Sequence, residues 1–73
     1  MMKSNELIRT IMGTDGITQA ELARKMGYKG QSSVGNALAR ENGMRVDVFI
    51  KMAQAMGYEV VVRRGKDELV VSE

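Results

Sequence analysis

The stretch Thr18 to Leu38, TQAELARKMGYKGQSSVGNAL, marks both ends of one helix and the start of another, which leaves the middle of this chain few ways to fold. Thr18 with Glu21 three residues later is the reciprocal capping pair that opens a helix. The threonine hydroxyl accepts from the third helical N–H, and the glutamate carboxylate accepts from the cap N–H. Leu22, Ala23 and Met26 give that helix a single apolar stripe. Gly27 ends it, since glycine enters the left-handed conformation without steric cost. Beyond a turn, Val34, Ala37 and Leu38 form a second apolar stripe, and Gln31, Ser32, Ser33 and Asn36 lie off it. Two short helices, each apolar on one side, have to bury those sides against each other and the rest of the chain.

Similar punctuation divides the remainder. Ser4 is a candidate N-cap for a first helix carrying Leu7, Ile8, Ile11 and Met12 on one side, with Gly13, Asp15 and Gly16 breaking it into a turn. Asn42 and Gly43 are expected to end the third helical segment. A fourth helix runs from about Val46 to Met56, with Phe49, Met52, Ala53 and Met56 facing the core, Asp47 near its positive end and Gly57 closing it. After Gly57 the pattern changes to β-branched runs, YEVVVRR and ELVVSE, around Gly65, Lys66 and Asp67. That predicts a β-hairpin with Val60 and Val62 on one face and Val61 on the other. The expected fold is thus mainly α with a C-terminal β-hairpin, residues 1–57 forming the helical body and 58–73 the hairpin.

At 73 residues the chain supports one small core, and a hydrophobic share of 44% against 27% charged fits a folded domain. Three aromatic residues and seven methionines make that core aliphatic and methionine-rich. The absence of cysteine and histidine excludes disulfides and thiol nucleophiles, removes the usual neutral-pH base and argues against a zinc site. With only scattered acids and no phosphate-binding loop, neither a catalytic residue, a metal site, a cofactor nor an enzyme is expected. No apolar run approaches the roughly 18 residues of a membrane span, and Met1 to Met12 lacks a signal-peptide core, so the expected compartment is the cytoplasm.

Net charge is only +2, but its placement is uneven. Between Arg24 and Arg45 stand Arg24, Lys25, Lys29, Arg40 and Arg45 against the single acid Glu41, so that segment carries +4 and the rest of the chain −2. A short helix with an apolar back, an uncharged hydrogen-bonding front and flanking cations suits a duplex groove: neutral side chains meet base edges and cations meet phosphates.

TQAELARKMG, then QSSVGNAL and later VDVFIKMAQAMGYEVVV, resemble the phage-repressor and Cro-like (Xre-type) helix-turn-helix family over about residues 4 to 57. The resemblance rests on Gln19, Leu22, Ala23, Gly27, Gln31, Ser32 and Val34, and it implies a lambda-repressor-like bundle of four helices that binds operator DNA, usually as a homodimer. It implies base contacts by Gln31, Ser32, Ser33 and Asn36 and phosphate contacts by Gln19, Lys29, Arg40, Arg24 and Arg45, with Gln19 also orienting Gln31. One departure is visible. Gly27 to Val34 spans seven positions where the family has six, so an extra residue, Lys29 or Gly30, lengthens the turn.

The hairpin, apolar on both faces through Val60, Val61, Val62, Leu69, Val70 and Val71, is the expected dimerisation element. Two such units would reach half-sites about one helical turn, roughly 34 Å, apart. The sequence-level expectation is a transcriptional repressor. The alternative is an antitoxin or small phage regulator whose hairpin docks on another protein, with DNA binding as autoregulation.

Overall fold

The computed structural model describes residues 2–72. It arranges them as α1 (Ser4–Asp15), α2 (Gln19–Lys25), α3 (Ser32–Leu38), α4 (Val46–Ala55), β1 (Val60–Arg64) and β2 (Asp67–Val71). The order is the expected one: four helices followed by a two-stranded antiparallel hairpin.

Several boundaries differ from the sequence expectation. Ser4 does not cap α1; Lys3 holds the cap position in extended backbone without a side-chain bond, and the Ser4 hydroxyl instead accepts the Met44 N–H at 3.0 Å. Gly13 does not break α1, which continues to Asp15 and stops at Gly16. A single glycine in a helix costs only about 1 kcal/mol, less than the burial of Ile8, Ile11 and Met12 on the same helix returns. The third helix ends at Leu38, short of Asn42 and Gly43, because the carbonyls at its end are taken by side chains of α1.

The Thr18 capping pair forms as read. The Glu21 N–H donates to Thr18 Oγ1 at 3.1 Å, and the Thr18 N–H donates to Glu21 Oε1 at 3.1 Å. Helices α2 and α4 share an ending, Ala-x-x-Met-Gly-Tyr. In both, the glycine takes a left-handed φ (+83° at Gly27, +87° at Gly57), and the N–H of the following tyrosine donates at 2.9 Å to the alanine five residues back. This double-bonded ending satisfies carbonyls that a helix otherwise leaves open.

The core gathers one or two residues from every helix: Ile8 and Met12 of α1, Leu22 and Ala23 of α2, Val34 and Leu38 of α3, Met52 of α4, and Met44 from the loop before α4. Ile8, Leu22, Val34, Leu38 and Met52 are the largest side chains removed from water almost completely, and among the described residues no polar or charged one is buried with them.

Strand β1 pairs with β2 in the register Val60–Val71, Val61–Val70, Val62–Leu69, Arg63–Glu68 and Arg64–Asp67. The expected turn residue Asp67 is therefore the first residue of β2, and Gly65 and Lys66 alone make the turn. Gly65 has φ +59° and Lys66 has negative φ, the two-residue pattern that matches strand twist. The base of the hairpin meets the helical body, with Val60 and Val61 bordering a groove beside Leu7, Ile11 and Phe49. Val60 and Val71 are half-buried, whereas Val62 and Leu69 are 60% and 71% exposed. The molecule measures 39 × 24 × 23 Å.

Two outcomes follow from this packing. Leu22→Ala removes a fully buried side chain at the centre of the cluster and should cost about 2–5 kcal/mol in a urea titration, a large part of the roughly 5–15 kcal/mol available to a domain. Glu21's carboxyl is held below the usual carboxylate range, first by the backbone N–H of Thr18 and then by its hydroxyl. A carboxyl with a depressed folded-state pKa stabilises above its unfolded-state value and loses that contribution as pH falls through the folded value. Glu21→Gln, which keeps an acceptor but cannot titrate, should therefore flatten part of the loss in melting temperature between about pH 6 and pH 3.

Candidate nucleic-acid interface

Helix α3 is built so that its front is free. Val34 and Leu38 are buried and Gly35 and Ala37 are half-buried, while Gln31, Ser32, Ser33 and Asn36 are exposed. Ser32 is the first helical residue and Gln31 the cap residue, in helical backbone (φ −87°, ψ −3°) with no side-chain cap bond. The longer turn is thus absorbed by Tyr28 to Gln31, and the helix starts at Ser32. Asn36 stands three and four residues after Ser33 and Ser32, so the three share one face. Among the described residues, no hydrogen bond engages the side chains of Gln31, Ser32, Ser33 or Asn36.

The close approach of α2 and α3 is made at Gly35. A Cβ there would lie 3.2 Å from Gln19 Oε1, so the Gln19 amide rests on the surface that the glycine leaves open. No hydrogen bond joins Gln19 to Gln31 among the described residues. Gln19 is positioned by α3's glycine instead.

The far end of α3 is fixed by α1. Asn5 Nδ2 donates to the carbonyls of Leu38 at 3.2 Å and Arg40 at 2.8 Å, and Arg9 Nη2 donates to Leu38 at 3.4 Å. Lys3 Nζ donates to the Glu41 carbonyl at 3.0 Å, and Ser4 holds the Met44 N–H. Gly43 permits this last contact, since a Cβ on it would lie 2.8 Å from Ser4 Oγ. The segment from Leu38 to Met44, with Arg40 in it, is therefore tied down at four points.

The cations divide by position. Lys29 stands in the turn before α3 and Arg40 just after it, both exposed. Arg24 lies in the last turn of α2, beside Lys25. Arg45 sits before α4 and pairs with Asp47 at 3.1 Å, which offsets part of its charge. Tyr28 is not among the residues that the sequence singles out, yet it borders an open cavity of about 400 Å3 with Ser33, Asn36, Ala37, Arg40 and Val48. The signal that could have found it is its place directly after the turn glycine, where a helix ending of this kind brings a side chain back onto the helix.

No protein-family model matches this chain, and the searches of curated proteins and of solved structures likewise return no match. The geometry combines a short, rigidly seated helix, a row of neutral hydrogen-bonding side chains, and cations at both ends. Among the described residues, no group of three or more His, Cys, Asp or Glu side chains is placed to hold a metal ion, and no helix is long and apolar enough to cross a membrane.

Asn5→Ala should cost about 1–2 kcal/mol of stability through the two lost bonds to carbonyls. Amide hydrogen exchange should show the loss first in α3, ahead of α1 and α4.

Proposed function

We propose that the chain is a sequence-specific double-stranded DNA-binding protein with a lambda-repressor-like helix-turn-helix, and that it acts as a transcriptional repressor, working as a homodimer on a pseudo-palindromic operator. The observation that carries this reading is the separation of chemistry on α3. Val34 and Leu38 are buried, and its uncharged polar side chains are exposed and have no hydrogen-bond partner among the described residues.

Gln31 and Asn36 present paired donor and acceptor atoms, which suit the N6 and N7 edge of adenine, and Ser32 and Ser33 can donate to or accept from several bases. Lys29, Arg40 and Arg24 supply point or forked charges for phosphates on either side, and they set the register without reading sequence. Gln19, half-buried on α2, leaves its amide nitrogen available for a phosphate while its oxygen rests on Gly35. Arg45, paired with Asp47, makes the weakest of these contacts. Expression would be blocked by occupancy of the operator. The exposed valines and leucine of the hairpin support self-association as the means of joining two reading heads.

Selection from a random duplex pool at two salt concentrations tests this reading directly, and a symmetric enriched site is expected. Binding without enrichment that vanishes at modest salt would reduce the protein to a charge-driven binder. On the selected site, Gln31→Ala or Asn36→Ala should relax preference at one position by about 1–3 kcal/mol, whereas Lys29→Ala or Arg40→Ala should weaken all duplexes alike and lower the salt slope by about one.

A further inference from the structure

Helix α3 has two flanks, and they are filled differently. A helix turns about 100° per residue, so the buried pair Val34 and Leu38 lies opposite Asn36, with Gly35 on one flank and Ser33 and Ala37 on the other. The Gly35 flank carries the Gln19 amide of α2. The Ser33 and Ala37 flank opens into the cavity of about 400 Å3 that it shares with Tyr28, Asn36, Arg40 and Val48. Tyr28, Ala37 and Val48 are half-buried and form its apolar part, while Ser33, Asn36 and Arg40 are exposed. The lining holds one guanidinium and no acid; Glu41 and Asp47, next to Arg40 and Val48 in sequence, are not part of it. Among the described residues, no hydrogen bond or ion pair engages the Tyr28 hydroxyl or the Arg40 guanidinium.

The place of this cavity on α3 decides what can fill it. A helix with its side chains is about 10–12 Å across, and the major groove is about 12 Å wide. With Asn36 toward the base edges, each flank of α3 therefore lies against a wall of the groove, and those walls are sugar and phosphate. We propose that the cavity seats one deoxyribose–phosphate unit of the duplex backbone, and that Tyr28 is a DNA-contacting residue. The sugar rests on Ala37 and Val48, and the Tyr28 hydroxyl and Arg40 guanidinium donate to the same phosphate. Bonds to a charged acceptor are roughly twice as strong as neutral ones. Both residues are held at the backbone: the Tyr28 N–H donates to the Ala23 carbonyl at 2.9 Å, and the Arg40 carbonyl accepts from Asn5 Nδ2 at 2.8 Å. The cavity is far larger than a thymine methyl group needs, and a backbone unit suits its mixed lining. Such a seat adds affinity and register without adding sequence preference.

This assignment rests on the DNA-binding reading above, and the test separates the two. Fluorescence anisotropy at low salt compares the selected duplex with a scrambled duplex of the same length and base composition. Tyr28→Phe removes one hydroxyl and keeps the ring, and far-UV circular dichroism checks that the helices persist. The variant should weaken both duplexes alike by about tenfold. Its salt slope should equal that of the wild type because no charge is lost, whereas Arg40→Ala lowers the slope. Replacing the phosphates of the selected duplex one at a time by neutral methylphosphonates then locates the contact. At the seated phosphate the replacement should cost the wild type about tenfold more than it costs Tyr28→Phe, because the variant already lacks that bond. A change in stability or folding alone could not produce a difference confined to one phosphate. Tyr28→Phe that binds both duplexes as the wild type does, or that weakens the selected duplex alone, would overturn the backbone seat while leaving α3 as the reading helix. So would a methylphosphonate profile identical in the two proteins. A wild-type chain that binds neither duplex would overturn the DNA-binding reading itself.

Discussion

Helix α3 is too short to hold itself, and the rest of the body is organised around that fact. Seven residues close only a few helical hydrogen bonds, well below the length at which a helix is stable alone in water. It lacks a side-chain N-cap and carries Gly35 inside. What holds it is tertiary: Val34 and Leu38 in the core, Gln19 across Gly35, and the Asn5 and Arg9 side chains on the carbonyls at its end. Each constraint acts from behind or from the ends. The front row is left rigid in backbone and unencumbered in side chain, the condition a surface needs to recognise a ligand without first reorganising.

The same division runs through the molecule's charge. Among the described residues the core holds no polar or charged side chain, and cations cluster on the segment around α3 while acids are spread elsewhere. The hairpin extends the contrast. Its base is anchored by Val60 and Val71, its middle exposes Val62 and Leu69, and its tip alternates cation and anion across the turn. A two-stranded ribbon with apolar residues on both faces is marginal alone in water, so its exposure is a feature that invites cover.

How much of this is legible in the sequence depends on how local the deciding interaction is. The Thr18–Glu21 pair, the Gly27 stop, the fourth helix and the pairing of the two β-branched runs all follow from contacts within a few residues, and all are readable. Ser4 looks like a cap because its pattern is local, but its partner, the Met44 N–H, is forty residues away. Gly13 looks like a breaker, but burial of its neighbours outweighs its backbone cost. The end of α3 falls earlier than its glycine signal because Asn5, in another helix, takes the carbonyls there. Tyr28 has a local sign in its place after Gly27, but its surroundings, Ser33, Asn36, Arg40 and Val48, assemble only when α3 and α4 meet.

The sequence by itself determined that four helices precede a β-hairpin, how the second helix starts and stops, and where the positive charge collects. Periodicity, capping and charge are all properties of short stretches. Only the tertiary structure decided that α3 starts at Ser32 and that the longer turn is taken up by Tyr28 to Gln31. It alone decided that Gln19 rests on Gly35, and that the base of the hairpin is half-buried at Val60 and Val71 while its middle stays exposed at Val62 and Leu69. Those outcomes depend on how elements distant in sequence compete for the same space and the same backbone carbonyls, a competition that exists only once the chain has folded.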